Sequence, residues 1–403
     1  MASIRKRGST YQIRVSAGYD ITGKQITKTM TWKPTDKMTP KQIEKELNRQ
    51  ATLFEENVIS GLAGDNRQTF AEYTHYVLEL KERSGLKCST LERYKSFSEY
   101  TDKVIGHLKL SDIRPKHLND LYKGLSADGM NKRTGGKLSN KTIVEYHRFI
   151  SAVLSQAERE MLIPYNPARR ATPPKAEKKE ANYFQTEDVY NILETLKCEP
   201  LKYRLATMLL MATGCRRGEI MGLKWSNVDK VNKTLEIKQN LQYSQNIGTY
   251  LTTTKTGKAR KVRIPDELMP LLLEYRKEYI GYKRSLGDYW SGSQRLGVVG
   301  SDDWIADDFI FIQADGKPMH PDTITDWLNK FSKRNDLPHI NPHAFRHTVA
   351  SILISQGVDI VTVSKQLGHD KVSTTTDIYS HIINKASEQA ADTIADVIFR
   401  KNA

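Results

Sequence analysis

The chain has 403 residues, of which 38% are hydrophobic, and this length predicts two or three domains rather than one core. Its net charge of +15 and pI near 9.4 favour a polyanionic partner. Three scattered cysteines exclude a disulfide frame or a zinc site. The lack of a long apolar run excludes a membrane span and a secretory signal, so we expect a cytoplasmic protein.

Residues 1–33 are strongly basic and predict a small sheet. Tyr11–Val15 alternates apolar and polar residues and Gln25–Trp32 is rich in threonine, so we predict two strands joined by a turn at Asp20–Gly23. A helix is predicted over Pro40–Asn57. Strands can enter a major groove, so we predict DNA contacts here, with a solvated accessory sheet as the alternative. The predicted contact residues are Arg5, Lys6, Arg7, Arg14, Lys24 and Lys28.

A helical domain is predicted over 67–171, after a glycine-containing linker at 61–66. Thr69–Glu72 and Ser89–Glu92 both have the spacing of a capping box and predict two helix starts. Ser139 is predicted to cap a further helix, whose apolar residues from Ile143 to Leu154 form a core stripe. Lys141 and Arg148 lie on its charged face, which contacts phosphates or is simply solvated.

Two prolines and mixed charges over Thr172–Glu180 predict an extended linker, which we assign to 172–184. The residues beyond it predict a mixed domain of helices and short antiparallel strands, with an exposed insertion at 286–308. The predicted helices are those opened by Thr186–Asp188, then Leu201–Met211, Pro265–Tyr282 and Asp322–Ser332. The predicted strands lie around Leu235–Ile237, at Leu241–Ser244, Thr249–Thr254 and Lys261–Ile264, and at Phe309–Ile312. The fold class is therefore mainly α with small β-sheets.

One helix carries a candidate site. Asn341-Pro342 predicts its start and Gly357 its end, and the spacing of His343 and Arg346 places both on one face. An imidazole that exchanges a proton beside a guanidinium that donates two parallel hydrogen bonds suits a phosphate.

Further stretches complete a recognisable set. Thr213–Glu219 contains Arg216, Thr254–Lys261 contains Lys255, and His343-Ala344-Phe345-Arg346 is followed by Leu367-Gly368-His369 and Tyr379-Ser380-His381. In this order they resemble the motif boxes of the tyrosine site-specific recombinases. The front of the chain makes the resemblance strongest to lambda-type integrases, and among these to the integrases of conjugative transposons.

The resemblance implies a role for each residue. Arg216 and Arg346 would hold the non-bridging phosphate oxygens, and Tyr379 would attack phosphorus to form a 3′-phosphotyrosine. Lys255 would protonate the leaving 5′ oxygen, although Lys258 in the same basic run is the alternative. His343 would assist proton transfer, His369 would bind the phosphate, and Glu219 would orient its neighbours. Neither a metal nor a cofactor is implied.

The resemblance also implies the layout and the partners. Residues 1–60 would be an arm-type DNA-binding domain, 67–171 a core DNA-binding domain and 185–381 the catalytic domain. Apolar residues at helical spacing predict a tail helix over 382–403, which packs on its own catalytic domain or on a neighbouring protomer. The expected partners are double-stranded DNA, further copies in a tetrameric synaptic complex, and an excisionase or DNA-bending accessory protein. The alternatives to an integrase are a topoisomerase and a non-catalytic DNA-binding regulator.

Overall fold

The computed structural model describes residues 2–19, 22–35, 38–59, 68–177, 183–254, 257–292 and 305–380. The chain divides into two compact units, Met1–Lys178 and Lys179–Ala403. Several sequence-based predictions fall outside the described residues: part of the turn at Asp20, the linker at 61–66, Lys255, the centre of the insertion and the tail helix. No described helix is long and apolar enough to cross a membrane.

The first unit begins with a three-stranded antiparallel sheet of β1 (Ser3–Arg7), β2 (Thr10–Tyr19) and β3 (Gln25–Trp32), in that order. Both predicted strands are confirmed, and β1 is an addition. The helix α1 (Pro40–Ile59) packs on one face of the sheet, where Leu47 and Ala51 bury Ile13. Alternation along β2 therefore leaves the other face of the sheet open to solvent.

Four helices follow, namely α2 (Phe70–Arg83), α3 (Cys88–Ile105), α4 (Pro115–Leu125) and α5 (Asn140–Arg159). The predicted capping box at Thr69 is confirmed, since the Thr69 N–H donates to Glu72 at 2.8 Å and the Glu72 N–H donates to the Thr69 hydroxyl at 3.3 Å. The box predicted at Ser89 is wrong. The helix α3 begins at Cys88, two residues before the start that a cap at Ser89 would give, and Lys87 precedes it without a side-chain cap, so Ser89 already lies within the first turn.

The helix α5 supplies the centre of this core. Ser139 caps it through a 3.2 Å bond from the Thr142 N–H, as predicted. Its apolar stripe is buried against α2 and α3, which confirms the prediction of a core helix.

The second unit is built around α7 (Leu201–Thr213), whose central apolar residues, among them Leu205, Leu209 and Leu210, are buried as predicted. Among the described residues of this unit, the other α-helices are α6 (Thr186–Leu196), α8 (Arg217–Met221), α9 (Leu268–Leu286), α10 (Thr323–Arg334), α11 (Pro342–Ser355), α12 (Ile360–Leu367) and α13 (372–380). Contacts of α7 with α9 and α11 bring the start of α11 beside the loop that follows α7. The predicted class, mainly helical with small antiparallel sheets, is confirmed.

The strands of this unit pair differently from their order in the chain. They are β4 (Val228–Asp229), β5 (Thr234–Ile237), β6 (Gln239–Ser244), β7 (Gly248–Thr253) and β8 (Arg260–Arg263). The strands β6 and β7 form their own hairpin, so β5 pairs with β8 and not with the strand that follows it. The strand predicted at Phe309–Ile312 is wrong, because only isolated bridges form there, from Phe309 to Lys224 and from Ile312 to Pro318.

Candidate active site

The first part of the site is the loop between α7 and α8. It turns at Gly214, whose φ is +63° and whose added Cβ would lie 2.9 Å from Leu367 Cδ2. Both the left-handed backbone and the close approach of α12 therefore require glycine. The turn places Arg216 directly before α8 as its N-cap residue.

Glu219 binds Arg216 and a second arginine. One carboxylate oxygen accepts the Arg216 N–H at 2.9 Å and Arg260 Nη2 at 2.6 Å, and the other accepts Arg216 Nη1 at 2.9 Å and Arg260 Nη1 at 3.3 Å. The carboxylate is only 1% exposed. Burial raises its pKa, but the bonds and charge of Arg260 and then Arg216 outweigh burial, so the pKa of Glu219 lies below its ordinary value. Glu219 therefore holds Arg216 as an ionised partner.

Arg260 belongs to the site, although no motif predicted it. Its Nε donates to the Gln366 carbonyl oxygen at 3.1 Å, so it joins Glu219 to the end of α12. Strand alternation was the available signal, because Arg260 and buried Val262 lie on the inner side of β8 while Lys261 and Arg263 are exposed.

The second guanidinium comes from α11. Asn341 caps this helix by accepting the His343 N–H at 3.0 Å and the Ala344 N–H at 2.9 Å, which confirms the predicted start. Arg346 is 2% exposed and donates through Nη1 to the Gly214 carbonyl oxygen at 2.9 Å. Its Nη2 is buried and has no hydrogen-bond partner within the described part of the chain.

Burial, followed by repulsion from Arg216, lowers the pKa of Arg346 to about 10. The guanidinium is therefore still charged at neutral pH. A buried cation with an unpaired N–H is costly, and an anion that accepts this N–H relieves the cost. Arg346 turns inward toward Gly214, while His343, three residues earlier on the same helix, is exposed.

Tyr379 lies on α13 and is 1% exposed. Its hydroxyl oxygen is 2.6 Å from Nδ1 of His347, a residue of α11 that no motif assigned to the site. Burial raises the pKa of Tyr379 to about 12. Burial, and then the charges of His343 and Arg346, lower the pKa of His347 to about 4. A neutral imidazole therefore faces a protonated phenol.

His369 follows the left-handed Gly368 at the end of α12, and its Nδ1 lies 2.7 Å from the Thr375 hydroxyl. Burial, and then the charges of Arg346 and Arg216, lower its pKa to about 4. Arg216 Nη2 also reaches the Gly368 carbonyl oxygen at 3.3 Å. The structure thus brings Arg216, Arg346 and His369 around the loop at Gly214 and the end of α12.

Of the two candidate lysines, Lys255 lies outside the described residues. Lys258 is exposed between β7 and β8, and its carbonyl oxygen accepts the Thr254 hydroxyl at 2.9 Å. The contacts of the described residues therefore leave the choice between these lysines open.

The basic residues predicted to contact DNA occupy different surfaces of the first unit. Arg5 and Arg14 lie on the open face of the sheet, as the pairings of Arg5 with Gln12 and Ser3 with Arg14 require, and Arg7 shares that face. Lys6 pairs with Tyr11 and Lys28 pairs with Val15, so both lie on the face that α1 covers. The other three basic residues are exposed: Lys24 lies beside β3, and Lys141 and Arg148 lie on α5.

Two family models match most of the chain. Residues 182–385 match the phage integrase family, and residues 69–175 match the phage integrase SAM-like domain. The chain is 27% identical to a tyrosine recombinase XerC-like protein of Caldanaerobacter subterraneus, over 96% of both chains. It is 26% identical to the ICEBs1 integrase of Bacillus subtilis, over 73% of this chain and 72% of that protein.

Solved structures share the fold. The Tn1549 transposon integrase in complex with a circular intermediate DNA matches with a TM-score of 0.65 and 18% identity, over 81% of this chain and 100% of that one. A lambda integrase tetramer bound to a Holliday junction matches with a TM-score of 0.55 and 16% identity, over 91% and 95%.

Proposed function

The chain belongs to the phage integrase family, and from this premise we propose that Tyr379, Arg216 and Arg346 form the centre that cuts and rejoins DNA. The protein is a tyrosine-type site-specific recombinase, an enzyme that breaks and religates DNA strands. The roles proposed below for particular side chains rest on the geometry of those side chains.

The observation that carries the assignment is the buried guanidinium of Arg346. Its Nη1 is bound to the protein and its Nη2 is unpaired within the described part of the chain. A non-bridging phosphate oxygen would complete this arrangement. Arg216, held by Glu219, would supply the second guanidinium, and together the two neutralise charge that grows in the transition state.

The remaining roles follow from the reaction. Tyr379 attacks phosphorus and forms a 3′-phosphotyrosine, which conserves the energy of the phosphodiester for rejoining. The 5′ oxygen leaves with a proton from Lys255, and Lys258 is the alternative donor. His343 assists proton transfer, and His369 hydrogen-bonds the phosphate. Two guanidiniums supply the charge neutralisation, and religation uses the stored bond energy.

The wider activity is excision and integration of a mobile element. The ICEBs1 integrase and the Tn1549 transposon integrase are similar proteins whose names refer to such elements. The lambda integrase structure is a tetramer on a Holliday junction, which supports a tetrameric synaptic complex for this chain on double-stranded DNA. An excisionase or DNA-bending protein would set direction, and the reaction would take place in the cytoplasm, where a bacterial chromosome lies.

The test is a suicide substrate that carries the element's end and a nick, so that cleavage traps the covalent complex. The wild-type protein should form an adduct that resists denaturant. Tyr379→Phe should bind the same DNA and form none, because only the attacking oxygen is lost. An adduct that persists in this variant would place the nucleophile elsewhere.

A further inference from the structure

The hydroxyl of Tyr379 has a specific partner. His347 follows Arg346 on α11, one helical turn beyond His343, and its Nδ1 lies 2.6 Å from the Tyr379 oxygen. The rings of His343 and His347 meet edge to face with centroids 4.6 Å apart. The 2.6 Å between His347 Nδ1 and the Tyr379 oxygen is at the short end of the distances between a nucleophile and its base.

We propose that His347 is the general base for Tyr379, an inference that rests on the proposed function. As the tyrosine oxygen bonds to phosphorus, its proton passes to His347 Nδ1. The bond from phosphorus to the 5′ oxygen breaks, and that oxygen leaves with a proton from the active-site lysine. In religation the 5′ hydroxyl attacks phosphorus and returns its proton to the lysine. The bond from phosphorus to the tyrosine oxygen breaks, and the imidazolium of His347 gives its proton back to that oxygen. Protons and charge therefore balance over one cycle.

The electrostatics fit this role. The pKa of His347 is about 4, so the imidazole is neutral at pH 7 and can accept a proton, in the tautomer that carries its own proton on Nε2. Tyr379, with a pKa of about 12, keeps its proton until it reacts. Such a difference between the pKa of the base and the pKa of the nucleophile is ordinary for a histidine and a hydroxyl group, because the proton moves as the new bond forms.

DNA would strengthen the base. After burial, the charges of His343 and Arg346 are what lower the pKa of His347. A phosphodiester bound to Arg346 brings a negative charge that opposes both, which favours the protonated imidazole. Occupation of the phosphate site would therefore activate the nucleophile, and the tyrosine would stay inert without DNA.

The experiment separates activation of the nucleophile from protonation of the leaving group. A suicide substrate with sulfur in place of the bridging 5′ oxygen has a leaving group that needs no proton. Single-turnover adduct formation is measured on this and on the ordinary substrate. His347→Asn places an amide oxygen near the position of Nδ1, so it keeps an acceptor for the hydroxyl but cannot take up the proton.

We expect His347→Asn to slow adduct formation about 10²- to 10⁴-fold on both substrates, the usual contribution of a general base. A lysine variant should instead regain activity on the sulfur substrate. Binding of uncleaved DNA by His347→Asn should equal that of the wild type. His147→Asn is a matched stability control, because His147 Nδ1 lies 2.8 Å from the Tyr122 hydroxyl in the first unit. The melting temperature of His147→Asn shows how much stability is lost with a similar hydrogen bond between tyrosine and histidine.

Three results would overturn the inference. Cleavage by His347→Asn within about threefold of the wild type would mean that no proton transfer to His347 is needed. Faster cleavage by His347→Asn would mean that the hydrogen bond from Tyr379 to His347 restrains the nucleophile. Recovery on the sulfur substrate alone would assign His347 to the leaving group. If His347→Asn unfolds, His347→Gln, which fills more of the imidazole volume, is subject to the same criteria. A wild-type protein that forms no adduct would refute the proposed function itself.

Discussion

Replacing Arg260 by Ala should destabilise the second unit through the carboxylate of Glu219. The substitution removes two hydrogen bonds and one of two counter-charges from a side chain that is 1% exposed, and the arginine itself is 14% exposed. Breaking a buried ion pair by removing one partner costs about 3–5 kcal/mol. Because Glu219 keeps Arg216, we place the loss in the free energy of unfolding below that range, at about 2–3 kcal/mol.

The assay is denaturant unfolding followed by tryptophan fluorescence. Four of the five tryptophans, all but Trp32, lie in residues 179–403, so the signal reports mainly on the second unit. Lys197→Ala is the matched control, because Lys197 pairs with Glu194 in the same unit but both side chains are exposed. We expect no measurable change from that variant.

A double-mutant cycle with Glu219→Gln tests the cause. The glutamine is uncharged, so the later loss of Arg260 strands no carboxylate, and the two changes should be less than additive by about 2 kcal/mol. Additivity within about 0.5 kcal/mol would refute the idea that the cost arises at Glu219. Because the same carboxylate holds Arg216, Arg260→Ala should also slow adduct formation on the suicide substrate.

Further outcomes are expected from the same geometry. Arg216→Ala and Arg346→Ala should each slow cleavage at least ~10²-fold, the scale of one lost oxyanion donor, and near-normal cleavage by both would remove them from the site. The pKa values of His347 and His369 are about 4 in the fold against an ordinary 6.5, so the unfolded chain binds more protons between these values. Stability should therefore be full above pH 6.5 and fall as the pH drops toward 4, and variants with Asn at both positions should flatten that dependence in denaturant midpoints. The double variant Arg5→Ala with Arg14→Ala should weaken binding to the DNA site that the arm-type domain contacts, and should reduce the salt dependence of that binding. The double variant Lys6→Ala with Lys28→Ala removes equal charge from the other face of the sheet and should change neither. Equal effects of the two double variants in binding titrations would mean that net charge alone matters.

Local patterns predicted the parts of the fold that local forces determine. The stripes of α5 and α9 were predictable, because apolar residues at helical spacing have one way to be buried. Most strand positions were also predictable, although β1 was missed and no strand forms at Phe309–Ile312. Pairing was not predictable: β8 joins β5 after the chain has formed the hairpin of β6 and β7. Pairing depends on which partner is nearby in space, and the alternation of a single strand carries no such information.

The same distinction applies to the site. Its motif residues were predictable from their order and spacing, while the contacts of Arg260 and His347 join residues 41 and 32 positions apart. Each had a weak local signal. Arg260 lies on the inner side of a strand, and His347 lies one turn after His343. Neither signal names a partner, because Glu219 and Tyr379 are brought to them by the packing of α8 and α13.

The arrangement around Arg346 departs from what a stable core requires. Among the described residues, the buried guanidinium has an N–H without a partner, and a buried phenol lies beside a neutral imidazole; both are less favourable than apolar packing would be. Such departures concentrate at functional sites, where the surrounding fold tolerates them. Here one phosphate oxygen would satisfy the guanidinium, and its charge would favour proton transfer to His347. The two unfavourable features would then be relieved by the same ligand, which makes them expected properties of a site that acts only on bound DNA.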